Sequence, residues 1–280
     1  MTVKPTLQLL INEPAPRGPA PRAAAIPFRG DGFAPNASPL VGWATFAVVL
    51  LLWQAAASYQ GDPILLPSPL EVLAALRDLA RSGELARHAT ASLTRFFAGW
   101  CLGASLGALL GFAIGLYPLV RSSTLPLVTA LFAMPKIALL PVFIVWFGIG
   151  ETSKIATIAI GVFSPMAIAA YSGVDAVDRS LIRMAQSFDL PTGDIVRKIV
   201  LPGALPVLLT GIRDSAAIAI VLLVGAEMIA AQFGVGALAL NSGGLMRTDR
   251  LFAAVALLGV FGLLVSWGVG RAERILLRWR

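Results

Sequence analysis

The sequence contains one cysteine, Cys101, and one histidine, His88. A lone thiol excludes an intrachain disulfide and any multi-cysteine metal site, and a lone imidazole leaves no inventory for a histidine-rich one. Charge is scarce too: Asp, Glu, Lys and Arg make up 13% of the chain, against 57% apolar residues and a mean hydropathy of +0.81. A soluble domain of this size needs a charged shell, and long stretches here offer nothing to build one. The pattern G-x(4)-G-K-[ST] that cradles nucleotide phosphates does not occur, and nothing clusters as nucleophile, base and orienting group. No catalytic residue, metal site or cofactor is therefore expected.

What is present is a series of apolar runs. Six segments are long enough to cross the roughly 30 Å of a bilayer's hydrocarbon: Val41 to Tyr59, Thr90 to Leu116, Leu125 to Phe147, Lys154 to Val174, Leu205 to Ala231 and Leu251 to Val269. The expected fold is all-α and polytopic, with about six transmembrane helices. Residues 1–39 hold eight prolines and no sustained apolar period, which predicts a disordered cytoplasmic tail. Residues 40–60 read as an anchor helix, because the run begins too late for a cleaved leader. Residues 61–87 read as an external amphipathic helix, with Val72, Leu73, Leu76 and Leu79 on one face behind Pro67 and Pro69.

The net charge of +7 does not point to nucleic acid, since Lys and Arg gather in the short polar connections. With both termini in the cytoplasm, the inner segments hold most of them, including Arg121, Arg179, Arg183, Arg197, Lys198 and the basic end 273–280. The outer segments then hold Arg77, Arg81, Arg87, Arg95, Lys154, Arg247 and Arg250, among nearly as many acids.

Two patterns inside the spans call for an account. Gly99, Gly103, Gly107, Gly111 and Gly115 recur every four residues, which leaves one helix face without side chains; it serves either tight helix packing or a sliding, pore-lining surface. Lys136, Arg213, Asp214 and Glu227 fall within apolar runs, where facing lipid is costly. They either line a solute path or pin helices together. Arg213 and Asp214 can also snorkel or pair with the neighbouring loop, and Pro135 before Lys136 can break or kink the third span.

Residues 175–204 are too polar to cross and must lie at the inner surface, with a loop over 178–202. They read as two short helices. Asp178 or Ser180 caps the first, which carries Leu181, Met184, Ala185 and Phe188 as an apolar stripe; Asp189, Leu190 and Pro191 break it. Thr192 caps the second, whose apolar face is Ile195, Val196, Ile199 and Val200, and Pro202 stops it. This knuckle resembles the cytoplasmic loop of permease subunits of binding-protein-dependent ABC importers, which reads E-A-A-x(3)-G-x(9)-I-x-L-P. Arg183, Met184 and Ala185 occupy the E-A-A positions, Asp189 the glycine, and Ile199, Leu201 and Pro202 the end of the pattern.

Three further stretches, 65–69, 139–154 and 225–238, are similar to the nitrate, sulfonate and taurine branch of that family. The resemblance implies a type I permease domain over 88–272, a coupling loop gripped by a cytoplasmic ATPase dimer, a second permease copy, an external solute-binding protein and an inner-membrane location among lipid. It implies a small anion as solute, and Arg183, Met184 and Asp189 depart from the usual loop residues. The competing reading is an ion-gradient-driven secondary transporter, for which Glu227 is the available mid-membrane acid.

Overall fold

The computed structural model describes residues 39–62 and 64–277. Most of the expected tail, Pro63 of the amphipathic segment, and Arg278 and Arg280 of the basic end lie outside the described residues. Among the described residues there is no strand. Five helices among the described residues are long and apolar enough to cross a membrane, and a bent pair brings the number to six.

The described residues divide into two units that meet in the sequence between Val49 and Leu50. Helix α1 (Pro39–Gln60) begins in the first, where Leu40, Val41, Trp43 and Phe46 are exposed, as suits a face turned to lipid. In the second unit the same helix carries Trp53, whose indole N–H donates to Pro67 O at 3.0 Å and whose ring lies 5.8 Å from that of Phe252.

Helix α2 (Pro69–Arg81) starts with a capping box in which Ser68 and Glu71 satisfy each other's backbone N–H. Its buried stripe is Val72, Ala75 and Leu79, packed on Val235, Leu238, Ala253 and Ala254, while Leu73 faces outward at 63% exposure. The expected face is thus rotated by part of a turn. After Gly83, helix α3 (Glu84–Leu116) begins several residues before the expected span.

The expected third span is two helices, α4 (Pro118–Ala133) and, after a 3₁₀ turn at Lys136–Leu139, α5 (Leu140–Phe147), bent by 94°. Pro135 removes a backbone donor at the break, and Pro141 can begin a helix but not continue one from Ile137. Helix α6 (Glu151–Asp175) is the most enclosed of the long helices. The glycine face of α3 lies on it: a Cβ at Gly103, Gly107 or Gly111 would come within 2.4 Å of the carbonyl oxygens of Ala159, Phe163 and Ala167 in turn. A Cβ at Gly99 or Gly115 would come within 2.6 Å of the side chains of Ile158 and Val174.

Helix α7 (Arg179–Ser187) is followed by α8 (Thr192–Ile195), a π turn at Val196–Val200, and α9 (Leu201–Ala230). Two expectations are corrected here. Pro191 stands at the N-cap of α8 with Thr192 inside the helix, and Pro202 does not stop the second knuckle helix. Leu201 N–H bonds to Val196 O, so the wider π turn resets the hydrogen-bond register just ahead of a residue that cannot donate. One continuous helical stretch, Thr192–Ala230, therefore carries the knuckle into the membrane.

Two further elements close the bundle. Helix α10 (Val235–Gly244), which the sequence pattern does not reveal, is buried along most of its length. Helix α11 (Thr248–Leu276) continues well past the expected end of the last span. The central core, Phe96, Ile158, Val162, Ala216, Ala219 and Leu223, joins α3, α6 and α9.

Candidate functional site

The knuckle is built around four buried residues, Val177, Ala185, Ile195 and Val200. Asp178, the N-cap of α7, accepts the Ser180 N–H at 2.8 Å, and this backbone bond holds its carboxyl below the usual carboxylate range. At the other end, Asp189 N–H donates to Gln186 O and Leu190 N–H to Ala185 O, the paired bonds of a Schellman turn. Asp189 takes the left-handed conformation this turn requires, at φ 51°. Glycine adopts it freely, and Asp is among the side chains that tolerate it.

Of the expected apolar stripe, only Ala185 points inward. Leu181, Met184 and Phe188 are exposed, Phe188 at 74%, and Arg183 lies exposed beside them. Ile199 and Pro202 are half-buried and Leu201 is exposed. The result is a rigid element, held by its own small core, that presents large apolar side chains outside any span.

The intramembrane charges do not form one cluster. The Lys136 ammonium lies 4.8 Å from the Phe132 ring and donates to Phe132 O, capping the break between α4 and α5. Arg213 pairs with Glu273 on α11, not with the knuckle, while Asp214 is exposed without an ion pair among the described residues.

Glu227 is fully buried, and each of its carboxylate oxygens accepts a hydrogen bond. It accepts from Ser92 Oγ at 2.8 Å, from Arg95 Nη1 at 2.7 Å and from Gly236 N–H at 2.9 Å. Arg95, 3% exposed, also donates to Phe233 O and, through Nη2, to Glu151 Oε1 at 2.8 Å; Lys154 sits 3.7 Å from the same oxygen. Four helices, α3, α6, α9 and α10, meet at this one guanidinium–carboxylate pair. Ser92 accepts the Val235 N–H, and the His88 ring lies 3.1 Å from Gly234 N. Gly234, at φ 140°, has no room for a Cβ, which would lie 2.4 Å from the Glu227 carboxylate. Sequence reasoning placed Arg95 in an outer connection and missed Ser92; the buried acid at 227 was the one signal that a cation had to stand nearby.

The stretches 65–69, 139–154 and 225–238 therefore supply the α2 cap, the Glu151–Lys154 arm and the Glu227–Gly236 loop. Residues 103–276 match the family described as the binding-protein-dependent transport system inner membrane component. The chain is 36% identical to the taurine transport system permease protein TauC of Escherichia coli K12, over 84% of this chain and 88% of that one. It is 33% identical to the riboflavin transport system permease protein RibX of Chloroflexus aurantiacus, again over 84% and 88%. A chain of the MetNI methionine ABC transporter, in an inward-facing structure, shares the fold with a TM-score of 0.60 at 21% identity, covering 69% of this chain and 95% of that one. The chain thus belongs to the binding-protein-dependent inner-membrane transport components, as a multi-pass ABC permease subunit whose ATPase is a separate protein.

Proposed function

We propose that this permease, as one of two copies, passes a small anion such as taurine, another sulfonate or nitrate from an external binding protein to the cytoplasm. An ATPase dimer grips the knuckle of each copy, and both termini face that ATPase. One observation carries the docking role: Leu181, Met184 and Phe188 are exposed on a helix outside the spans, fixed from behind by Ala185 and a Schellman turn. A rigid apolar face of this kind transmits motion to a bundle only if something holds it. The basic residues of 179–198 support the inward orientation.

The anion rests on similarity to the taurine permease, and the riboflavin relative shows how weakly a permease sequence of this family constrains its solute. Selection then resides mainly in the binding protein. Nothing in the network around Glu227 favours ion-driven transport, since both its carboxylate oxygens are tied to donors within the bundle.

The test is a cysteine at position 188 in a chain with Cys101 replaced by serine, in native membrane. Cross-linking to a nucleotide-hydrolysing neighbour that responds to ATP is the expected result. Capture of lipid alone would sink the docking role.

A further inference from the structure

At the end of the bundle that holds the Arg95–Glu227 pair, a recess of about 240 Å³ opens between the start of α3, the loop after α9, α10 and the start of α11. Three arginines line it, Arg87, Arg247 and Arg250, with the amides of Gln232 and Asn241. Among the described residues the only acid in its wall is Glu84, which is bonded to Arg250 at 3.2 Å. Among the described residues, neither Arg87 nor Arg247 has a carboxylate partner.

Both arginines are exposed, and each stands on backbone held by a hydrogen bond. Arg87 stacks 4.5 Å above the Phe233 ring, and the Phe233 carbonyl is itself held by Arg95. Arg247 follows Met246, a left-handed residue at φ 56°, and its own N–H is tied to Ser242 O at 2.9 Å. A recess of this size with two unneutralised cations and two amide donors suits a small oxyanion. A planar fork can engage two oxygens of a sulfonate or carboxylate at once.

We propose that this recess is a reception site for the oxyanion head of the solute, held by Arg87 and Arg247, before it reaches the path between the spans. This rests on the orientation and the anionic solute proposed above. The same chemistry could be met by the phosphate of a lipid headgroup, and the experiment separates the two.

The test uses the permease with its co-purified ATPase in nanodiscs of phosphatidylcholine, without the binding protein. Methanesulfonate and its neutral isostere dimethyl sulfone are the probes, and binding is followed by ligand-observed NMR. Methanesulfonate is expected to bind and dimethyl sulfone not to bind. Arg247→Gln and Arg87→Gln should each weaken methanesulfonate about tenfold, the loss of one charge-assisted contact. Arg77→Gln, on the exposed side of α2, should change nothing, and an unchanged thermal unfolding midpoint of each variant shows that it is folded. Equal binding of both probes, or full binding by the two variants, overturns the proposal. So does loss of methanesulfonate binding when phosphatidylglycerol is added, which assigns the recess to lipid. No transport is read, so a solute that proves neutral in uptake would defeat the functional reading separately from this one.

Discussion

Arg95 and Glu227 stand 132 positions apart in the chain and meet at 2.7 Å, with the carboxylate fully excluded from solvent. The pair fastens the loop after α9 to α3, and through Glu151 the same guanidinium holds the start of α6. Removing one member leaves a buried charge without a partner, which costs about 3–5 kcal/mol. Glu227→Ala should therefore lower the thermal unfolding midpoint of the purified complex strongly. The double variant Arg95→Met with Glu227→Leu should recover much of that loss. Equal destabilisation by the single and double changes would show that the two side chains act independently.

The contact of α3 with α6 sets a second expectation. Gly103→Ala places a methyl 2.3 Å from Ala159 O, so the helices must part, at a cost of about 1–3 kcal/mol. Gly259→Ala, with nothing within 4 Å, should instead be neutral or stabilise α11 by about 0.5–1 kcal/mol. Thermal unfolding of the two variants side by side checks this; matched midpoints would refute close packing at Gly103.

Asp189 holds a left-handed turn that a β-branched side chain resists. Asp189→Val should destabilise the knuckle by about 1–2 kcal/mol and weaken ATP-coupled uptake, whereas Asp189→Gly should keep uptake. Hydrogen exchange at the Leu190 amide reports the turn directly. Equal protection in both variants would mean that the conformation at 189 does not matter.

Phe188→Ser removes an exposed side chain, so the fold should change by less than about 0.5 kcal/mol. Uptake driven by ATP should nevertheless fall at least about tenfold if Phe188 seats in a partner, as a lost interface anchor does. A stable variant with full uptake would remove Phe188 from the docking surface.

The Asp178 cap carries a pH signature. Its carboxyl is held below the ordinary range in the fold, so its contribution is present above the unfolded value of about 4 and is lost as pH falls through the lower folded value. Protection of the Ser180 amide should drop only in that acid window, and Asp178→Asn should abolish the pH dependence. A drop at neutral pH would show that another group governs the cap.

Much of the architecture was legible because the bilayer imposes a length and a polarity that composition records directly. Five of the six expected spans correspond to single long helices, and the glycine period of four marks the face of α3 that meets α6. The motif spacing from Arg183 to Pro202 located the knuckle. Periodicity could not show that Leu181, Met184 and Phe188 face outward, because an apolar stripe reads the same whether it packs on its own chain or awaits another. Nor could it place α10, ten residues that are too short for a span and are held by bonds from α3 and α9.

The amino-acid order alone determined that this is a membrane helix bundle without catalytic inventory, since hydrophobic run length, missing ligands and charge placement are local properties. Tertiary structure alone decided which charges are partners. Arg213 found Glu273, Lys136 found Phe132, and Arg95 found Glu227 and Glu151, because a buried ion must be matched by whatever the folded bundle brings beside it, and sequence distance does not measure that nearness.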